Sequence, residues 1–412
     1  MALPASDLVI LRALAHRLAA LAARPEQEQK AESWRRLNRL ERARPMILLY
    51  NGTWHETGGE IKCECQDEFA RQQEWGLRAT LYHAEHMPDD HVYEGIIHSP
   101  IFVRDTGWGI TTNATLPDHV FGARHYNCVI PDGADPAAMI PMPTVTVDWE
   151  ATEDHYQKLC DIYDGIFAVE KRGVGGHWFA IMDDFIQWRD LDNAFMDMAD
   201  RPAWLHSWLE RMTQWHLSRL DQYEKLGVLS LNNGNNGVGS GGLGFTDELP
   251  AKDFDGVHVR ARDQWGHGTT QIFSLVSPTM HEEFALQYER RFLDRFGLGS
   301  YGCCEPLDRK VDIIKKHLPN LRRLSMSPWV DPARGAEAIG DSLIFSYQPN
   351  PAILGGEAWD VDYARAQLRD TFDKTRGCIV EVIMKDLHTV RNQPFRMWEW
   401  VKMAKELSED RA

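Results

Sequence analysis

Two adjacent cysteines followed by a carboxylate give this sequence its clearest chemical signal, in GSYGCCEPLD at residues 299–308. Zinc accepts thiolate and carboxylate ligands, and a catalytic zinc keeps one position open for substrate. Successive side chains of a strand point to opposite faces, so Cys303 and Glu305 are predicted to share one face and Cys304 the other. We therefore expect Cys303 and Glu305 to form the functional pair and Cys304 to be structural.

The cysteine pair could instead have a structural or a redox role. Free cysteine is often a small buried hydrophobe, so both side chains could simply fill the core. A redox dithiol is disfavoured, because the familiar spacing is C-x-x-C and a bridge between neighbours is strained. If Cys303 binds zinc, the remaining ligands must come from distant segments, and the candidates are Asp386, His388 and His177.

The elements that would position these residues form an alternating pattern. Apolar runs separated by helical stretches predict strands at 46–50, 95–103, 165–173, 227–233, 300–305, 321–327, 342–348 and 378–384. Eight strands with intervening helices favour an α/β fold of the (β/α)8 TIM barrel type over a doubly wound sheet. We predict an N-terminal helical extension over residues 1–40 and the barrel over residues 41–412.

Helix boundaries can also be predicted. In SPTMHEEFALQYERRFLDRFG, Ser277 is the predicted N-cap, Pro278 the first helical residue and Gly297 the stop. The N-terminal stretch LVILRALAHRLAALAARPEQ is interrupted by charged residues and is predicted to be an amphipathic helix rather than a signal peptide. Its apolar face would carry Leu11, Leu14, Leu18 and Leu21.

Polar residues follow most of the predicted strands, and in a barrel the chemistry lies at the carboxyl ends of the strands. The acid–base candidates there are Glu305, Asp331 and Lys385. The substrate-binding candidates are Asn51, Trp54, His55, Trp178, Asn232, Asn233, Asn235 and Trp329. The three tryptophans could stack against a ring of the substrate or simply roof the barrel.

The glycine-rich segment NNGNNGVGSGGLG at residues 232–244 formally fits G-x-G-x-x-G. A dinucleotide site needs a helix that opens directly on the glycines. LGFTDELP follows here instead and is predicted to be a loop. The segment is therefore interpreted as a mobile cover over the substrate or as a plain connection.

Composition narrows the choice of partners. With 45 Lys and Arg against 61 Asp and Glu, the formal charge is -16, which disfavours nucleic acid and anionic membrane as partners. No apolar run approaches the roughly 18 residues needed to cross a bilayer. The 7 cysteines are odd in number and scattered, which favours free thiols in a reducing cytoplasm.

Several motifs together resemble the uroporphyrinogen decarboxylase superfamily. They are SPTMHEEFALQYERRFLDRFG, then SYGCCEPLDRKVDIIKKHLPNLRRLSMSPWVD, then QPNPAIL, with GHWFAIMDDFIQWRDLDNAFMDMADRPAWLHSWLERM upstream. The resemblance covers roughly residues 35 to 408 and implies a (β/α)8 barrel with its site at the C-terminal face. The superfamily contains porphyrinogen decarboxylases and methyltransferases that work with corrinoid proteins.

The methyltransferase branch resembles this chain better than the decarboxylase branch. The decarboxylases carry arginines after the first strand, where this chain has NGTWHETGGE without arginine. The zinc-bearing methyltransferases carry His-x-Cys where this chain has Tyr301-Gly302-Cys303, so only Cys303 matches. Asp386 and His388 fall where those enzymes have a later cysteine.

The resemblance implies a demethylase-type methyltransferase that moves a methyl group from a small methylated compound to a corrinoid protein. Zinc or a general acid would assist, and cobalamin would be carried by the separate partner protein. A homodimer is one expected assembly. The alternatives are a metal-free decarboxylase or lyase that uses Lys385 and Asp386 on a small non-porphyrin acid, or a non-catalytic barrel that binds a ligand or a corrinoid protein.

Overall fold

A computed structural model describes residues 3–117, 122 and 124–411 of the chain. The strands are β1 Met46–Leu49, β2 Ile96–Pro100, β3 Phe102–Asp105, β4 Asn113–Thr115, β5 His125–Asn127, β6 Val145–Asp148, β7 Ala168–Arg172, β8 Trp265–Gly268, β9 Leu298–Tyr301, β10 Leu321–Met326, β11 Ile344–Tyr347 and β12 Ile379–Met384.

The α-helices are α1 Ala5–Ala22, α2 Pro25–Asn38, α3 Glu68–His86, α4 Pro136–Met139, α5 Trp149–Tyr163, α6 Ile181–Arg189, α7 Leu191–Asp200, α8 Pro202–Leu226, α9 Pro278–His281, α10 Gln287–Leu293, α11 Val311–His317, α12 Pro332–Ile339, α13 Ala352–Gly355, α14 Val361–Lys374 and α15 Phe395–Glu409. Short 3-10 helices cover Trp54–Glu56, Gly58–Ile61, Ala261–Asp263 and Gln271–Leu275. A π-helix at Glu282–Leu286 joins α9 to α10.

A parallel sheet of six strands forms the centre of the molecule, in the order β1-β12-β11-β10-β9-β8. Every residue of β1 and β12 is buried, which is typical of parallel strands covered on both faces. A single parallel bridge adds Phe179 beside Gly268 of β8. The α/β class with a parallel sheet is thus confirmed, and closure into an eight-stranded barrel stays a prediction.

Some predicted strands differ from the observed ones. Segment 227–233 makes one parallel bridge, at Leu229, instead of a strand. Strand β8 is not among the predicted strands, because WGHG contains two glycines and no β-branched residue. Strands β2 and β7 pair with each other, and β3 pairs antiparallel with β6, so neither pair belongs to the central sheet.

The helix predictions hold where local signals decide them. Leu11, Leu14, Leu18 and Leu21 are all buried along α1, as the amphipathic pattern predicts. Ser277 caps α9 and accepts a hydrogen bond from the Met280 amide at 3.2 Å. The helical run then passes through the π-helix and ends at Leu293, before the predicted stop. Among the described helices, none has both the length and the apolar composition required to cross a membrane.

A buried ion pair inside the sheet holds the glycine-rich segment in place. Arg323 on β10 and Glu381 on β12 are fully buried, with Nε 3.0 Å from Oε1. The Gly242 amide donates to Glu381 at 3.0 Å, and the Gly242 carbonyl accepts from Arg323 at 2.9 Å. A Cβ at position 241 would lie 2.3 Å from Cδ of Arg323, so only glycine permits this approach. The segment is anchored in the core rather than lying over it.

Candidate functional site

A cavity of about 560 Å³, the Cys303 pocket, opens at the carboxyl ends of β1, β9 and β12. It is lined by Tyr50, Asn51, Gly52, Trp178, Gly237, Gly239, Ser240, Cys303, Lys385, Asp386, Leu387 and His388. Three segments that are far apart in sequence meet here because parallel strands bring their carboxyl ends to one edge of the sheet. The glycine-rich segment supplies a further wall.

The chain turns sharply out of β9 before it reaches the cysteines. Gly302 has a φ of 88°, and a Cβ there would lie 2.4 Å from Leu307. The alternation predicted for residues 301–305 is therefore wrong, because the strand ends at Tyr301. The two sulfur atoms of Cys303 and Cys304 lie on the same side of the turn, 3.5 Å apart.

Glu305 fixes this turn from below. Its carboxylate accepts hydrogen bonds from the Cys303 amide and from Oγ1 of Thr269, both at 2.9 Å. The side chain is completely buried and is absent from the pocket lining. Glu305, predicted as an acid–base residue, therefore holds the backbone of Cys303 in position and does not line the pocket.

Lys385 brings a positive charge to both thiols. Its ammonium Nζ donates to Cys303 Sγ at 3.4 Å, reaches Cys304 Sγ at 3.9 Å, and donates to Asp386 at 2.7 Å. Burial opposes the charged form of Lys385, but attraction to Cys303 and the hydrogen bond to Asp386 outweigh it and raise the pKa of Lys385. The side chain therefore carries its proton through the neutral range.

Cys303 has the properties of a reactive thiol. The hydrogen bond from Cys304 and, against the opposing effect of burial, the positive charge of Lys385 lower its pKa to about 7. The hydrogen bond to Cys303 and burial raise the pKa of Cys304, which therefore stays protonated as the donor. Thiolate at neutral pH is the nucleophilic form of cysteine.

These side chains as arranged do not fit the predicted zinc ion. Lys385 already places a cation between Cys303 and Asp386, where a divalent ion would be repelled. Cys303, Asp386 and His388 do not converge into a metal-ligand group within the described part of the chain. Lys385 thus takes the place that the sequence interpretation gives to a metal.

The three predicted asparagines donate to backbone carbonyls, and Asn233 and Asn235 also line a separate cavity of about 540 Å³. Asn232 donates to the carbonyls of Gly175 at 2.7 Å and Trp265 at 3.0 Å. Asn233 donates to Leu249 at 2.7 Å, and Asn235 donates to Val92 at 2.8 Å. These amides tie the glycine-rich segment to its neighbours and lie outside the lining of the Cys303 pocket.

His177 and Trp178 are adjacent in sequence, but only Trp178 lines the Cys303 pocket. The Nε2 of His177 pairs with Gln264 at 2.9 Å, and its ring packs 4.6 Å from that of Phe296. Burial lowers the pKa of His177 to about 4, so the ring is neutral. Trp178 instead lines the pocket with 44% of its surface exposed.

Asp331 and Trp329 lie in a second cavity, of about 630 Å³, which also contains Lys310. Asp331 caps α12 by accepting from the amides of Ala333 and Arg334. Trp329 is 69% exposed at the rim. Neither residue meets Cys303 in the pocket.

The remaining predicted residues lie on the segment after β1. Asn51 lines the pocket, and its Nδ2 is buried without a hydrogen-bond partner. Trp54 packs edge-on against Trp75 at 5.7 Å, outside the pocket lining. His55 is 3.7 Å from Glu56 and half exposed.

Two pocket residues and one neighbouring thiol escape the sequence interpretation as contributors to the site. Tyr50 directly follows the apolar run of β1, and Ser240 lies within the glycine-rich segment. Cys304 is predicted to be structural but is exposed beside the pocket and hydrogen-bonded to Cys303. Each lies at or beside the end of a strand or inside a polar motif, so position next to a strand end is the signal that could have found them.

Comparison with known proteins gives little further information. No protein-family model matches the chain. No curated protein matches it. Among solved structures, a methyltransferase from Methanosarcina mazei is similar with a TM-score of 0.45 and 10% sequence identity, over 92% of this chain and 98% of that chain. Similarity at this level carries no argument about function, which must come from the residues of the pocket.

Proposed function

We propose that this chain is a demethylase-type methyltransferase in which Lys385 acts as the general acid. The methyl donor would be a small methylated compound bound in the Cys303 pocket. The acceptor would be the corrinoid of a separate protein. The observation that carries the proposal is the Lys385 ammonium, held between Cys303 and Asp386 in a pocket at the strand ends.

The chemistry requires a proton for a poor leaving group. When the bond between the methyl carbon and a donor oxygen or nitrogen breaks, its electron pair stays on the heteroatom, while the acceptor supplies the pair for the new bond. Lys385 then gives its proton to that heteroatom and recovers one from solvent. A phenol has a pKa of about 10, close to the ordinary value of a lysine, and the raised pKa of Lys385 matches a leaving group at least as basic as a phenolate.

The thiolate supports this role without entering the reaction. The negative charge of Cys303 keeps Lys385 protonated until the leaving group develops its own charge. Trp178, exposed in the same pocket, offers a face against which an aromatic methyl donor can stack. The resemblance of the motifs to the corrinoid methyltransferase branch, and the (β/α)8 barrel that it implies, agree with this assignment.

A metal-free lyase acting on a small acid is the second candidate. The observation in its favour is that Asn51 and Lys385 line the same pocket and both carry hydrogen-bond donors, as a bound carboxylate would require. In that reaction Lys385 would hold the carboxylate as an ammonium ion. Release of carbon dioxide rather than transfer of a methyl group distinguishes the two.

The test is a methyl-transfer assay with the full-length protein. Free reduced cobalamin serves as acceptor, and a panel of aryl methyl ethers, aliphatic methyl ethers and methylamines serves as donors. We expect methylation of the corrinoid with at least one donor, and its loss in Lys385→Met. Absence of methylation over the whole panel, or full activity in Lys385→Met, would overturn the proposal, and carbon dioxide release from small acids would support the lyase.

A further inference from the structure

We propose that His83, Asp89 and His91, here named the His83 cluster, bind a divalent transition-metal ion such as zinc. One possible ligand atom from each residue lies within 4.8 Å of the other two. Two imidazoles and one carboxylate are a ligand set that zinc accepts. The site is separate from the Cys303 pocket and does not depend on the function proposed for that pocket.

The fold brings the three residues together at the end of β1. His83 lies in the last turn of α3, and Asp89 and His91 lie in the segment that follows this helix. The Leu49 amide of β1 donates to Asp89 at 2.8 Å and so docks this segment against the sheet. The ligand atoms therefore converge from a helix end and a strand end, both of which are fixed elements.

The carboxylate of Asp89 is oriented before any ion arrives. It is fully buried and accepts one hydrogen bond from the Leu49 amide and another, at 3.0 Å, from the His91 amide. Such supporting hydrogen bonds fix the direction in which a metal-binding carboxylate points. The remaining oxygen lone pairs face the two imidazole rings.

The separations suit a tetrahedral ion. Nε2 of His83 lies 3.3 Å from Oδ1 of Asp89, and Nδ1 of His91 lies 2.8 Å from Oδ2 in a hydrogen bond that an ion would replace. Metal–ligand bonds of about 2.0–2.1 Å imply ligand atoms roughly 3.3 Å apart. Small rotations of the His91 ring would complete this geometry.

His83 provides a second observation that points to a ligand. Its Nε2 is buried 3.3 Å from Oδ1 of Asp89, but the two groups are not oriented for a hydrogen bond of good geometry. A buried polar nitrogen without a partner is costly. An ion pair of Asp89 with protonated histidines would leave this nitrogen badly oriented, whereas a metal ion would use its lone pair directly.

The surrounding charges permit an additional cation. Asp90, next in sequence, is already paired with Arg44 and Lys405, each within 2.7 Å. The ammonium of Lys30 donates to the His91 carbonyl at 3.2 Å. Asp89 attracts Lys30 at longer range, but its direct side-chain neighbours are the two imidazoles, which are neutral when they bind a metal.

The ion would lie directly behind one wall of the Cys303 pocket. The ring of Tyr50, which lines that pocket, packs edge-on against His91 with ring centres 5.5 Å apart. The side chain of His91 is 22% exposed, which leaves access for water as a fourth ligand. A bound ion would thus hold His91 against Tyr50, and a water molecule would complete its coordination.

The test is metal loading of the full-length protein. The chain is stripped with a chelator, reloaded with Co²⁺ or Zn²⁺, and measured by elemental analysis and visible absorption, alongside Asp89→Asn, His91→Gln and Cys303→Ser. We expect one ion per chain in the wild type and in Cys303→Ser, and an affinity at least about 10-fold weaker in the two cluster variants, because loss of even a supporting partner of a ligand costs that much. Bound Co²⁺ should show ligand-field bands without a sulfur charge-transfer band.

Each contrary outcome overturns the inference. These outcomes are failure of the wild-type chain to retain either ion, unchanged retention in folded Asp89→Asn or His91→Gln, and a sulfur charge-transfer band that disappears in Cys303→Ser. The last result would instead place a metal at Cys303. If both cluster variants fail to fold, the Co²⁺ spectrum of the wild type still decides between nitrogen–oxygen ligands and sulfur ligands.

Discussion

The Cys303 pocket and the His83 cluster lie on either side of Tyr50, and both gather side chains of metal-binding types. In the pocket, an ammonium group stands 3.4 Å from the thiol and 2.7 Å from the carboxylate. In the cluster, the carboxylate faces two imidazole nitrogens, one of them without a hydrogen bond. The comparison explains the two proposals: a built-in lysine favours acid–base chemistry in the first region, whereas two imidazoles that converge on a carboxylate favour a metal ion in the second.

The carboxylates of the two regions also differ in burial, in a way that agrees with the two proposals. Asp386 lines the pocket with its side chain more than half exposed to solvent. Asp89 is buried and held by two backbone amides. An exposed carboxylate can rearrange during a reaction, while a buried and anchored one suits a permanent ligand.

The largest effect should come from removing the ammonium of the pocket. We expect Lys385→Met to lower the rate of methyl transfer by about 10²–10⁴-fold, the usual contribution of a general acid. Lys374→Met is the matched control, because Lys374 pairs with exposed Asp370 and lies outside the pocket. Rates are measured at saturating donor. Equal losses in both variants would contradict the assignment of Lys385.

The next largest effect should be on thermal stability, and it should depend on the His83 cluster and not on the Cys303 pocket. An ion at 100 times its dissociation constant stabilises the native state by about 2.7 kcal/mol. Zinc should therefore raise the thermal midpoint of the wild type and of Lys385→Met, but not that of Asp89→Asn. Calorimetry with and without chelator measures this, and a zinc-dependent rise in Asp89→Asn would break the distinction.

A smaller effect should appear in the reactivity of Cys303. Because its pKa is lowered to about 7, the thiolate fraction and the alkylation rate should rise between pH 6 and pH 8 with a midpoint near 7. Cys304→Ala removes the hydrogen-bond donor and should slow alkylation at pH 7 several-fold, with the midpoint at higher pH. Mass spectrometry after iodoacetamide locates the label.

Cys378 lies outside the Cys303 pocket and has a pKa raised by burial, so it serves as the internal control and should stay unlabelled at pH 7. An alkylation midpoint for Cys303 at the ordinary thiol value, or a Cys304→Ala variant with unchanged kinetics, would contradict the role given to the two neighbours of Cys303.

The smallest effect should come from replacing Tyr50, which lines the Cys303 pocket and packs against His91 of the His83 cluster. Tyr50→Leu removes the edge-on contact with His91, which is worth about 0.5–1.5 kcal/mol for an aromatic pair. We expect zinc affinity to fall by less than about tenfold and methyl transfer to change to a similar extent. Isothermal titration and the transfer assay check this, and loss of only one activity would show that the two regions are not coupled through Tyr50.

Local signals in the sequence determined much of the scaffold. The apolar runs that form β1, β10, β11 and β12 are predicted from the sequence, as are Ser277 as a cap and the buried leucines of α1. These features depend on residues within a few positions of one another. The choice of strand ends for the site follows from the same information, because parallel strands must share an edge.

Local sequence signals could not predict which side chains contact one another within the site. Lys385 and Cys303 are separated by 82 residues, and their contact depends on how β9 and β12 are aligned across the sheet. The sequence interpretation gives Cys303 a zinc ion because sequence alone does not reveal the alignment of Lys385. Asn232 similarly has the residue type to bind a ligand, but its amide is occupied by two backbone carbonyls from distant segments.

The sequence by itself determined which residue types stand at the strand ends, how the helices begin, and that the apolar runs are long enough for a buried parallel sheet. Tertiary structure alone decided that Gly302 turns both thiols to one side, that Lys385 fills the space between Cys303 and Asp386, and that His83 reaches Asp89. The physical reason is that periodicity and capping act over a few residues, whereas charge pairing and metal ligation depend on distances of a few ångströms, which only packing sets.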